Sequence, residues 1–160
     1  MAKRSLLTGI VLLAVAGLTG CSSGPTISEL GPQLQQEGTQ QLDAAADYSG
    51  VDGVKPTITE DASKDVPCGD GKVKRVFAGS FPFEPGASLD TTFDLAFISL
   101  RGRIDGKRYD LVTQPDKEDL TRREAVFAGK DDNKLTLTFV FTGGATPTFA
   151  LRGETACLEA

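Results

Sequence analysis

The 160-residue chain contains no histidine, so the side chain most often used as a general base at neutral pH is missing. Ser-His-Asp and Cys-His catalysis and histidine-ligated zinc are excluded with it. Carboxylates, three cysteines and one glycine-rich turn remain. Two acids can hydrolyse a glycosidic bond without histidine. With 22 acids in the chain, however, closeness of some pair carries little meaning, and there is no tryptophan to stack a sugar ring. Asp116, Glu118 and Asp119 form one acidic cluster and Asp131 and Asp132 another. Neither has the spacing of a calcium-binding loop, and they read as solvated loops and a hairpin turn. Gly69-Asp70-Gly71-Lys72 looks superficially like a phosphate loop, but it lacks the full spacing and the following Ser or Thr. It precedes a strand pattern instead of a helix, so a tight turn is expected. No catalytic residue, metal ligand or cofactor is assigned, and the chain is read as a non-enzyme.

The most specific chemistry lies at the start of the chain. Lys3 and Arg4 precede a stretch from Leu6 to Leu18 that is apolar apart from Thr8, Gly9 and Gly17. That is too short for a bilayer-spanning helix, which needs about 20 apolar residues, and it suits an export signal over residues 1–20. Leu18-Thr19-Gly20-Cys21 follows: an aliphatic residue, two small residues and a cysteine. These four residues resemble the lipobox of bacterial lipoproteins. The resemblance implies cleavage between Gly20 and Cys21, a diacylglyceryl group on the Cys21 thiol, and often a further acyl chain such as palmitate on the new amino terminus. Two acyl chains hold a protein on a bilayer far better than one. Residues 21–30 are then an acylated cysteine and a flexible tether, and residues 31–160 a single globular domain on the extracytoplasmic face of the cell membrane.

With Cys21 used by the anchor, Cys68 and Cys157 remain, and neither belongs to a Cys-x-x-Cys motif. An even pair in an exported chain reads as a structural disulfide. Closing so long a loop is worth roughly 4–5 kcal/mol in the chain-entropy description. Charge is uneven: residues 21–71 hold nine acids against Lys55 and Lys64, while residues 72–160 are balanced at 13 of each sign. An acidic stem near an anionic bilayer is repelled from it. No basic, aromatic-rich patch points to nucleic acid.

The elements around these residues follow from periodicity. Leu30, Leu34, Leu42 and Ala46 give a first helix over about 32–48, with Pro32 in its first turn and Gly38 interrupting the stripe. A short strand is expected near Thr57–Thr59 and a longer one from Lys72 to Phe81, with a bulge or register shift at Arg75. Leu89, Phe93, Ala96, Phe97, Leu100 and Ile104 share a helical face, capped by Ser88 or Asp90. Four strands follow as a meander, the third alternating Leu135, Leu137, Phe139 and Phe141 with Thr136, Thr138, Val140 and Thr142. The expected fold is an α+β two-layer sandwich: two helices on one face of a mainly antiparallel four- to five-stranded sheet, with one disulfide. If the first and last strands are antiparallel neighbours, Cys68 and Cys157 meet at one end.

The lipobox, the early helix, Cys68 ahead of the first long strand, and a terminal strand ending Arg152-Gly153-Glu154-Thr155-Ala156-Cys157-Leu158 together resemble the small two-cysteine surface lipoproteins of actinobacteria, including the LppA-like group of mycobacteria. The resemblance implies a cell-envelope lipoprotein and assigns no catalytic residue. The expected function is contact with an envelope protein, through the sheet face or a rigid loop carrying Phe81 and Phe83, of which one ring is expected to be buried under the second helix and the other is left open. One alternative is a ligand- or lipid-binding pocket between helices and sheet lined by Phe93, Phe97, Phe139 and Phe141. Another is an inhibitor of an extracellular hydrolase.

Overall fold

The computed structural model describes residues 24–47, 49, 52–84, 88–104, 106–119 and 121–160. Gly20 and Cys21, the expected cleavage and lipidation positions, lie outside them, as does Pro85.

Helix α1 spans Ile27–Ala46, and a capping box starts it. The Glu29 carboxylate accepts the Thr26 backbone N–H at 2.8 Å, which holds its pKa below the usual glutamate range. The helix therefore begins five residues before Pro32, which sits in the second turn, and it takes up residues 27–30 of the expected tether. Burial of Ile27 and Leu30 fixes that boundary.

Strand β1 (Thr57–Asp61) leads to a small hairpin, β2 (Val66–Gly69) and β3 (Lys72–Lys74). β4 (Val76–Pro82) precedes helix α2 (Leu89–Arg103). The meander follows as β5 (Tyr109–Thr113), β6 (Arg122–Gly129), β7 (Leu135–Thr142) and β8 (Thr148–Thr155), and β9 (Leu158–Glu159) closes the chain. The main sheet has six strands in the order β1-β4-β8-β7-β6-β5, antiparallel throughout. A second sheet, β2-β3-β9, has three.

The α+β class, the two helices on one sheet face and the disulfide match the expectation; the sheet is larger than the four to five strands expected. β1 is exposed along its whole length, so it carries no apolar alternation. β2, β3 and β9 are too short to show a period. The expected 72–81 strand divides at Arg75, where the chain passes from one sheet to the other. There Arg75 pairs with Asp65 at 2.7 Å and donates to the carbonyls of Ala62 and Ser63. β4 and β8 are antiparallel neighbours, Val76 opposite Glu154, and Cys68 and Cys157 are bonded just beyond that end with their Cα atoms 6.2 Å apart. Gly69-Asp70-Gly71 forms the β2–β3 turn with φ of 95°, 52° and 74°, values that favour glycine and tolerate Asp.

Three rows of side chains cross the inner face of the main sheet. Phe77, Gly153, Leu137 and Phe127 make one row; Gly79, Leu151, Phe139 and Ala125 the next; Phe81, Phe149, Phe141 and Arg123 the third. Helix α1 lies on the first two rows in reciprocal contact. The Phe77 ring fills the place where Gly38 has no side chain: a Cβ there would lie 2.4 Å from Phe77 Cδ1. Leu42 fills the place over Gly79, and Leu34 the place over Gly153, where added Cβ atoms would come within 2.5 and 2.6 Å. Gly38, an interruption in the sequence pattern, is thus the close-contact point of the helix.

Overpacking a filled core typically costs about 1–3 kcal/mol. Gly38→Ala should lower the urea unfolding free energy by that amount. Adding Phe77→Leu should return part of the loss, and equal additive losses in the double-mutant cycle would show that the two residues do not interlock.

Candidate functional site

The third row, Phe81-Phe149-Phe141-Arg123, lies toward the C-terminal end of α1, where the large side chains of that helix stop and Ala44, Ala45 and Ala46 follow. Opposite, α2 presents Thr92, Ala96, Ser99 and Arg103 at helical spacing, mostly small side chains, while its bulkier Phe93 and Leu100 are buried. Small residues on both helices leave space above the aromatic row, although the rings themselves are 2–4% exposed. The result is an open cleft of about 350 Å³ floored by Phe81, Phe83, Phe141 and Phe149. Ala45, Leu95 and Ala96 add apolar wall; Ser49, Glu84, Thr92, Ser99 and Arg103 supply the polar atoms. Its size falls in the range of small-molecule sites, and its mainly apolar lining with a few polar groups is their usual composition.

The floor is rigid. Phe81 stacks on Phe149 with ring centres 5.0 Å apart, and Phe141 meets Phe149 edge-on at 5.0 Å. Beyond β4 the backbone stays hydrogen-bonded, Phe83 N–H to the Pro147 carbonyl at 3.0 Å and Glu84 N–H to the Ser49 carbonyl at 2.9 Å. These bonds turn the segment inward, so Phe81 and Phe83 are buried at 3% and 7% exposure. The sequence favours burial of one of these two rings and leaves the other open; the structure buries both, as walls of the cleft. Of the four phenylalanines expected to line a pocket, only Phe141 does so. Phe93 and Phe139 are core residues, and Phe97 packs half-buried against the core.

Two arginines hold the roof helix. Ser88 caps α2 by accepting the Thr91 N–H at 3.1 Å. Arg123, 2% exposed, reaches from β6 to Asp90 and Asp94 on the first turns of α2, and its Nε donates to the Asp119 carbonyl at 3.0 Å. Its guanidinium also lies over the Phe93 ring, 5.3 Å from the centre. At the other end, Arg103 Nη1 donates to the Ala44 carbonyl of α1 at 3.1 Å. Neither arginine was singled out in the sequence. Arg123 shares strand parity with Ala125 and Phe127, the one signal that marked it as inward-facing.

A second polar cluster ties α1 to the sheet edge. Glu37 accepts hydrogen bonds from the Tyr109 hydroxyl, Arg108 and Gln33. Desolvation first, and then the bond to Glu37, push the pKa of the Tyr109 hydroxyl well above its ordinary range. On the open sheet face, burial acts to raise the Glu154 pKa, but bonds from Lys74 at 2.7 Å and Arg152 at 2.8 Å outweigh it and hold the group low. The acidic loops serve themselves: Asp116 accepts the Glu118 N–H at 2.9 Å, and Asp119 accepts the N–H and hydroxyl of Thr121, both at 2.7 Å. Among the described residues there is no group of three or more Cys, Asp or Glu placed to hold a metal ion, and no helix long and apolar enough to cross a membrane.

Comparison with known proteins found no matching family model, no similar curated protein and no similar solved structure.

The Tyr109 environment carries a pH dependence. Folding keeps the hydroxyl protonated to higher pH than in the unfolded chain, where it titrates near 10.0. Its contribution is fully present below that pH and falls as pH rises beyond it, because the unfolded state then releases the proton more readily. Denaturation between pH 8 and 11 should show stability declining above pH 10, with a shallower decline in Tyr109→Phe.

Proposed function

We propose that this chain is a non-enzymatic, extracytoplasmic lipoprotein that holds a small apolar or amphipathic molecule in the cleft beneath α2. One observation carries the reading: four phenylalanine rings floor an open cavity of about 350 Å³. A closed void of that volume would cost about 8 kcal/mol at roughly 24 cal/mol per Å³. That compares with about 5–15 kcal/mol of total stability for a typical domain. Water relieves part of that cost in an open cleft, and an apolar ligand relieves it further by covering the exposed apolar wall, Leu95 above all, at roughly 25 cal/mol per Å². The competing reading, docking of an envelope protein through Phe81 and Phe83, loses its anchors because both rings face inward.

Location rests on the lipobox and agrees with the Cys68–Cys157 bond, since disulfides persist in oxidising compartments. On this reading the two ends of the molecule have different tasks. Cys21 precedes Ile27 by six residues, so on this reading the tether leaves from the N-terminal end of α1, while the cleft lies against its C-terminal end, about 30 Å along a 20-residue helix. The ligand would then be met on the side of the domain away from the tether.

Nile red should bind the full chain with a blue-shifted emission at one site per molecule. Ala96→Phe, which puts a ring into the cleft from the roof, should weaken that binding about tenfold or more while leaving the melting temperature within a few degrees. Unchanged binding in Ala96→Phe would place the dye elsewhere and remove the cleft from the proposal. Mass spectrometry of membrane-extracted protein should show a diacylglyceryl-modified Cys21 as the first residue.

A further inference from the structure

We infer that two copies of this chain pair through the outer face of the main sheet, about a two-fold axis running along β7. That face lies opposite α1 and the cleft, and the pairing needs neither a ligand nor the lipid anchor. β7 contributes Thr136, Thr138, Val140 and Thr142 to it, without a charge. The charges stand on the strands to either side. On β6, Arg122 and Glu124 pair at 2.6 Å; on β8, Arg152 and Glu154 pair at 2.8 Å, and Arg152 also reaches Glu60 of β1 at 3.4 Å. The register sets these charges in four different rows. Arg122 shares its row with Thr148, Glu124 with Ala150, Arg152 with Val126, and Glu154 with Ala128.

A two-fold axis along β7 lays β6 of one copy over β8 of the other, row on row. Every one of these charges then meets an alanine, a valine or a threonine. Successive rows along that line read Arg122, Glu124, Arg152 of the second copy and Glu154 of the second copy. Signs alternate throughout, so two surface pairs join into one row of four charges, and symmetry forms that row twice. A two-fold axis running across the strands would instead set Arg152 beside its own copy and Glu124 beside its own, in rows about 7 Å apart. Such like-charge contacts oppose association. The chain direction agrees with the axis along β7. α1 passes the start of β4, where Gly31 meets Arg75, and ends beside Phe81. Both copies of α1 therefore begin at the same end of the pair, and both tethers can enter one bilayer. Four strands about 4.8 Å apart and four rows about 7 Å apart give on the order of 500 Å² per copy. Two copies together bury about 1,000 Å², the lower limit for a specific interface, so the pair is weak and depends on concentration.

Sedimentation velocity of the full chain, at no more than one copy per micelle of a non-ionic detergent, should show monomer and dimer in exchange with a Kd on the order of 100 µM. Glu124→Arg and Arg152→Glu should each weaken the dimer about tenfold or more, because each brings like charges together twice. A one-to-one mixture of the two variants should pair again, since each copy then offers the charge that the other needs. A loss of local stability would give no such recovery. Val140→Lys, which sets two ammonium groups on the axis, should abolish the dimer with the melting temperature within a few degrees. A chain that stays monomeric well above the expected Kd would overturn the pairing. So would a dimer that Val140→Lys leaves intact, or two weakened variants that fail to pair when mixed.

Discussion

The interlock of helix α1 with the main sheet sets the geometry of everything else in this domain. Phe77 rises from the sheet into the gap at Gly38, while Leu34 and Leu42 descend from the helix onto Gly153 and Gly79. Each glycine lies opposite a bulky side chain on the other layer, so the two layers approach more closely than two surfaces of ordinary side chains would. Protein cores are packed at crystal-like density, and a contact of this kind admits little sliding. It fixes the helix both along and across the strands.

The cleft is a consequence of where that interlock ends. Past Leu42 the helix offers only alanines, and α2 faces them with Thr92, Ala96 and Ser99. The third aromatic row therefore has a floor but no filling. Packing alone would draw α2 down onto those rings. Arg123, joined to Asp90 and Asp94, and Arg103, joined to the Ala44 carbonyl, hold the two ends of α2 in place. Polar clamps at the ends and small residues between them are what keep the space open.

The opposite end of the molecule is the braced one. The three-stranded sheet, the Cys68–Cys157 bond and the Arg75 contacts with the loop before β2 gather where β4 begins and β8 finishes. Cross-linking there restrains the unfolded chain without touching the cavity. The division leaves one end cross-linked and the other with an open cleft. It also explains the uncovered outer face of the sheet, whose charged pairs Arg122–Glu124 and Arg152–Glu154 are satisfied among themselves.

Period and spacing in the sequence were enough for the α+β class, both helices, the meander and the disulfide, because each is a local pattern or a simple parity of cysteines. The strands β2, β3 and β9 left no such pattern: two to four residues cannot display a period, and they exist only because neighbours supply their hydrogen bonds. The start of α1 was legible in Thr26 and Glu29, but Pro32 drew attention to the wrong turn. What only the tertiary structure decided was the meaning of single residues. Gly38 interrupts the helical stripe and takes its meaning only from Phe77 opposite it, Phe81 and Phe83 fit either a contact loop or the core edge until the structure buries both, and nothing in the sequence singles out Arg123 or Arg103. A one-dimensional pattern reports which face a residue takes within its own element. It carries no information on what another element, tens of residues away, places against that face, and the cleft is made entirely of such meetings.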